Sequence, residues 1–280
     1  MRIKAPLFLC ILLIFQATLA QDHLSDHPQT PASLHWLSAP NPSSPAVNQL
    51  RTDGNACGPA CLLDSFRAGS QKWRQSIAKI KGPNDHATLK KIIRNHGKLG
   101  SRLDPKKARW NGRYGINGMD LADIANELRS ERWMGRVTQK IFFQNPRESD
   151  RALLKRVHKR LSHSLKKGLP PTLRVRRVAL RSVRKTPQGP DHKTWLAVKS
   201  HFLVLTGLPA KLPKNALSFP VTYHDPWGGK KLKGHVRIAQ PTHPGLATLL
   251  ADFPGTTVGK SLLRSGEGNG LSLSSAIGLF

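Results

Sequence analysis

Asn55-Ala56-Cys57-Gly58-Pro59-Ala60-Cys61 is the stretch on which the fold turns. A thiol attacks a carbonyl only as its thiolate, and a free cysteine with a pKa of about 8.5 is mostly protonated at neutral pH. The first turn of a helix lowers that value through its unpaired N–H groups and partial positive charge, and a neighbouring imidazolium lowers it further. Gly58 and Pro59 let the chain turn tightly and enter a helix with proline near its first position, where a missing N–H costs nothing. Ala60 to Phe66, Ala-Cys-Leu-Leu-Asp-Ser-Phe, then predicts a mostly buried helix. Taken alone, Cys57 also fits the commoner role of a small buried residue, so the rest of the chain has to weigh in.

Upstream, residues 1–20 have the three parts of a secretory signal: basic Arg2 and Lys4, an apolar run from Leu7 to Phe15, and Thr18-Leu19-Ala20 at the cleavage position. The expected location is therefore secreted or periplasmic. The apolar run is too short to span a bilayer permanently, and no later stretch approaches the ~20 apolar residues a membrane helix needs, so no integral membrane segment is expected after signal removal. Cys10 leaves with the signal, and Cys57 and Cys61, four apart on one helix face, are not expected to form a disulfide. About 260 residues remain, enough for one sizeable domain.

The charge is extreme: 45 Lys and Arg against 16 Asp and Glu give +29, or +27 without Arg2 and Lys4. Such a surface attracts anionic envelope polymers, namely anionic lipid, lipopolysaccharide or acidic glycan, and acidic peptide as well; it also serves plain solubility. Aromatic residues are sparse and are not interleaved with the basic runs, which argues against nucleic acid as a partner.

Further along, residues 21–47 are rich in Pro, Ser, Asn and Asp and read as a linker or pro-segment, with the folded part starting near Asn48. Helices are expected over 85–96, capped by Asn84 or Asp85; after Gly118, with Asn117 or Asp120 at the start; and over 149–167, where Leu153, Leu154, Val157, Leu161 and Leu165 form a stripe. From Pro170 the period changes to that of strands, at 172–183, 195–208, 218–224 and 235–238. Helices first and strands later make an α+β fold, N-terminal helices packed on a C-terminal antiparallel sheet. Residues 241–280, rich in Gly and Ser, read as a weakly ordered tail or peripheral cover.

His201 lies in the β-forming His-Phe-Leu-Val-Leu-Thr-Gly, where a strand holds an imidazole as rigidly as a general base requires. Asp225 ends the next strand, in Asp-Pro-Trp-Gly-Gly, where its carboxylate can meet the second imidazole nitrogen and stabilise the imidazolium beside a thiolate. The separation of 144 residues between Cys57 and His201 falls within the range of about 130 to 150 for papain-type enzymes. A lone histidine among twelve is more often structural, so the surrounding residues decide. His224 is the rival imidazole, but neighbouring strand residues point to opposite faces and it should look away from Asp225.

These three segments, Cys57-Gly58-Pro59-Ala60, His201 to Gly207 and Asp225 to Gly229, resemble the bacteriocin leader-processing cysteine peptidases, cysteine peptidase family thirty-nine, over residues 48–240. The resemblance implies a papain-like fold with Cys57 as nucleophile, His201 as base, Asp225 as its orienter and Gln49 as a donor to the oxyanion. Gln49 lies farther upstream of Cys57 than the family's glutamine does, and an extra turn over 51–54 would restore the geometry. The transporter segments usually fused to such domains have no counterpart here, which leaves the double-glycine leader substrate without support.

Two thiols and His201 could in principle hold zinc, but the spacing lacks the usual second pair, and no metal or cofactor is expected. Gly255-Thr-Thr-Val-Gly-Lys-Ser has one residue too few between its glycines for a phosphate loop. Two functions follow as expectations: an exported thiol hydrolase acting on a peptide or isopeptide bond of a peptide or protein substrate, or a catalytically inactive cationic module that binds anionic envelope polymers.

Overall fold

The computed structural model describes residues 35–184 and 191–280; the signal segment and residues 21–34 lie outside the described residues. In chain order the elements are β1 (Trp36–Ser38), α1 (Cys57–Ala68), α2 (Gln71–Ala78), α3 (Asp85–Ile92), β2 (Trp110–Asn111), β3 (Gly115–Ile116), α4 (Gly118–Leu128), β4 (Thr138–Ile141), α5 (Asp150–Lys166), β5 (Thr172–Arg184), β6 (Asp191–Pro209), β7 (Ser218–Asp225), β8 (Lys230–Arg237), β9 (Leu249–Asp252) and β10 (Asn269–Gly278). The chain is thus α+β, with a large antiparallel sheet.

Local chemistry accounts for where the helices begin. Asn84, Asn117 and Ser149 sit in extended conformation and accept the N–H of Ala87, Asp120 and Ala152 through their side chains, satisfying donors that the first helical turn leaves free. The helix α3 is prolonged by a π-helical turn over Ile93–Gly97, so the helix expected over 85–96 is present in two parts. The helix α2 has no counterpart in the sequence reading, because it buries only Trp73, Ser76 and Ile77, too few to make an apolar stripe.

The sheet runs β1-β6-β5-β10-β9-β8-β7, and β6 also pairs with β7, so the strands from β5 to β10 close into a ring. Alternation along each strand fills the ring: Phe219, Val221 and Tyr223 of β7, Leu203 and Leu205 of β6, and Leu271 and Leu273 of β10 join one buried cluster with the leucine stripe of α5. A second cluster lies among α1, α3 and α4, and takes Phe202 and Val204 from the opposite parity of β6. The strand β6 is therefore covered by apolar side chains on both faces, as a central strand should be.

Two expectations fail. From His35 onward the supposed linker is packed: Leu37 pairs with Leu208 and Val47 is fully buried. Its prolines conceal this because β1 is only three residues long and its partner strand lies far away in sequence. Residues 241–280 are not a peripheral tail either, since β10 lies between β5 and β9 and also pairs with β4. The run Leu271-Ser-Leu-Ser-Ser-Ala-Ile has strand alternation, but its serines lower the overall hydrophobicity and mask it. Among the described residues no helix is long and apolar enough to cross a membrane.

Candidate active site

The helix α1 starts at Cys57 with Ala56 at its N-cap, and Ala56 offers no side-chain acceptor. The N–H groups of the first turn are thus left for whatever lies at Cys57. Gly58 is required there by close approach: a Cβ at this position would sit 2.3 Å from Cγ2 of Ile116 on β3. On β6, pairing with β7 begins at Val204, so the strand edge just before it is open. The sulfur of Cys57 meets that edge, facing the N–H of Phe202 and the N–H of Gly58.

His201 opens the buried half of β6 and Asp225 ends β7. His201 Nε2–H donates to Asp225 Oδ1 at 2.8 Å, with both side chains almost wholly buried. This leaves Nδ1 free of Asp225, and the charge of His201 acts on the neighbouring Cys57 thiol. The carboxylate is held in turn by the Trp227 N–H to Oδ1 at 2.9 Å and by the Thr256 hydroxyl to Oδ2 at 3.0 Å. Of the residues expected to act together, His201 and Asp225 therefore form a buried hydrogen-bonded pair, and Cys57 lies close enough for its thiol to respond to the imidazole.

Burial pushes the Cys57 thiol up, but the hydrogen bond and charge of His201, with the two N–H groups, outweigh it and hold the thiol below its ordinary value. Burial likewise disfavours the His201 imidazolium, yet hydrogen bonds to Asp225 and Cys57 raise it from 6.5 to about 9. Cys61, one turn further along α1 and fully buried, is pushed well above its ordinary value by burial and by the charges of Cys57, Asp64 and Asp225. The two free cysteines of this helix thus differ in chemistry: the Cys57 thiol is held below its ordinary value beside an imidazole, and the Cys61 thiol is raised in the core.

Gln49 begins a 3-10 turn, Gln49–Arg51, which its own carbonyl closes by accepting the Thr52 N–H, and its N–H donates to Pro226 O at 2.9 Å. That bond ties the turn to the loop after Asp225. The side chain lines the same cleft as His201 and Asp225, and its Oε1 is buried without a partner. The cleft, of about 670 Å³, has Asn55, Trp227 and the segment 256–262 in its walls.

Several contacts were not foreseen from the sequence. Asn55, part of the opening motif, accepts a hydrogen bond from the Cys57 thiol through Oδ1 at 3.3 Å. Thr256 belongs to the glycine-bracketed segment set aside as a phosphate loop, and nothing local marks it as a partner of Asp225. Asp64, two turns along α1 from Cys57, accepts from His224 Nδ1–H at 3.0 Å with both side chains buried, so His224 does face away from Asp225. This bond holds the helix that carries the sulfur against the strand that carries Asp225. A carboxylate amid Ala-Cys-Leu-Leu and Ser-Phe was the available signal, because a buried acid must find a partner. Among the described residues no group of three or more His, Cys, Asp or Glu side chains is arranged to hold a metal ion.

Compared with protein-family models, curated proteins and solved structures, the chain matches none. The functional reading accordingly rests on the site itself.

Proposed function

We propose that this chain is an exported thiol hydrolase of papain-like fold that cleaves a peptide or isopeptide bond. The observation that carries the reading is the buried row Cys57–His201–Asp225, set at a helix N-terminus with the thiol held down and the imidazolium held up. In the first step the Cys57 thiolate bonds to the carbonyl carbon and the carbonyl oxygen takes the negative charge, facing the Cys57 N–H and the Gln49 amide. His201 Nδ1–H then protonates the leaving amine as the C–N bond breaks, leaving a thioester. Water attacks that thioester, His201 takes its proton, and the acid departs as Cys57 returns to thiolate. Asp225 keeps Nε2 protonated throughout, so that Nδ1 is the nitrogen that exchanges protons with sulfur and substrate. Cys57→Ala should abolish hydrolysis of a peptide library while leaving the circular dichroism spectrum and melting temperature in place; turnover by that variant would remove the assignment.

A second reading, a non-catalytic cationic module, is favoured by one observation of its own. Along α5 a groove of about 950 Å³ is lined by Lys140, Lys159, Arg160, His163, Lys166 and Lys211. Steeply salt-dependent binding to lipopolysaccharide by a protein with an unreactive Cys57 would support it, and no binding at low salt would exclude it.

A further inference from the structure

On the thiol-hydrolase reading above, we infer that the substrate is an acidic peptide, one that carries carboxylates close to the bond cleaved. The cleft beside His201 is lined by Arg113, Lys199 and Lys260, and among the described residues in its walls Asp225 is the one carboxylate. That carboxylate is already taken by His201, the Trp227 N–H and Thr256. The cations of the cleft, by contrast, have no carboxylate within salt-bridge distance among the described residues, whereas Arg67, Arg102, Lys107, Arg109, Arg156, Arg181 and Arg184 each hold an acid elsewhere on the protein. A general excess of base explains many unpaired lysines; it does not explain why the few acids available are spent away from this cleft.

The wall is also built rather than incidental. Arg177 Nε donates to Val258 O at 3.1 Å and fixes the segment that presents Lys260. Gly259 has φ +68° and packs so closely that a Cβ there would meet Cβ of Lys199 at 2.8 Å, which brings the two lysine-bearing stretches together. In a neighbouring cleft, Arg174 lies with its guanidinium 5.9 Å from the Phe202 ring and its Nε buried without a partner. Trp227, half exposed in the wall of the cleft beside His201, supplies an apolar surface beside Arg113, Lys199 and Lys260. A cleft of this volume suits a peptide segment, while the larger and lysine-rich groove along α5 is the surface that suits a polymer.

The test needs no substrate. Iodoacetamide and iodoacetate alkylate the same thiolate, each forming an S–C bond and releasing iodide, but only iodoacetate is an anion. Their rate ratio at Cys57 is measured by mass spectrometry at pH 7 in the signal-free protein and in the combined Arg113→Gln, Lys199→Gln, Lys260→Gln variant. The expected result is that the iodoacetate to iodoacetamide ratio exceeds that of free cysteine, falls on the order of threefold to tenfold in the triple variant, and falls again with added salt. An equal ratio in parent and variant would overturn the substrate class and leave the hydrolase reading standing. If neither reagent reacts faster than with free cysteine, the hydrolase reading fails, and the substrate class with it.

Discussion

Replacing Asp225 by Ala tests whether the row works as an ion pair. Raising His201 from 6.5 to about 9 is worth about 3 kcal/mol in favour of the imidazolium. Burial works against that, so the hydrogen bonds to Asp225 and Cys57 together supply more than the net figure. If Asp225 accounts for on the order of half, its loss brings His201 to about 7.5 or lower, since the ring stays buried in the variant. The sign is that of a cationic group with a raised pKa: the imidazolium is fully present below 6.5 and is lost as pH rises through about 9 in the parent, and earlier in the variant. At pH 8.5 the imidazolium population should then drop about eightfold. Protein labelled with ¹³C in the histidine rings, titrated by NMR from pH 5 to 11 and assigned with His201→Gln, reports this directly. A His201 that titrates near 6.5 in the parent, or near 9 in Asp225→Ala, would refute the reasoning.

Gln49→Ala should lower kcat about 10²- to 10³-fold with little change in KM once a substrate is in hand, because the donor is needed only where charge develops on oxygen. Thr256→Val removes one of the bonds to Asp225 and leaves a buried oxygen unpaired, so urea unfolding should show a loss of about 1 to 3 kcal/mol, and the His201 titration should move less than in Asp225→Ala. Asp64→Ala strands buried His224 and should cost about 3 to 5 kcal/mol, with much of the loss recovered in a doubly apolar Asp64→Leu, His224→Phe variant. Leu273→Ala opens the ring's interior and should cost about 2 to 5 kcal/mol by the same assay; a loss below about 1 kcal/mol would mean that the C-terminal residues are not part of the core.

Much of the local structure was written in neighbouring residues. Asn84, Asn117 and Ser149 cap their helices because a short polar side chain reaches the N–H three residues on, which is a matter of local geometry. The leucine stripe of α5 and the alternation of β7 follow from periods of 3.6 and 2 that any reader of the chain can count. Cys57, His201 and Asp225 were legible as candidates for the same reason, since each stands in a short motif whose conformation is set nearby; Gln49 stands in no such motif, and its place in the cleft with His201 and Asp225 came from the tertiary structure. Tertiary structure alone decided the rest. Thr256 meets Asp225 across 31 residues and His224 meets Asp64 across 160, and no local preference encodes either distance. The Ser-rich β10 became a central strand because its neighbours cover both of its faces and share its hydrogen bonds, so that serines which look like a solvated tail are buried and paired. Periodicity specifies which side of an element is apolar, whereas the identity of what covers that side depends on closing loops through space, and that is settled only when the ring of strands closes.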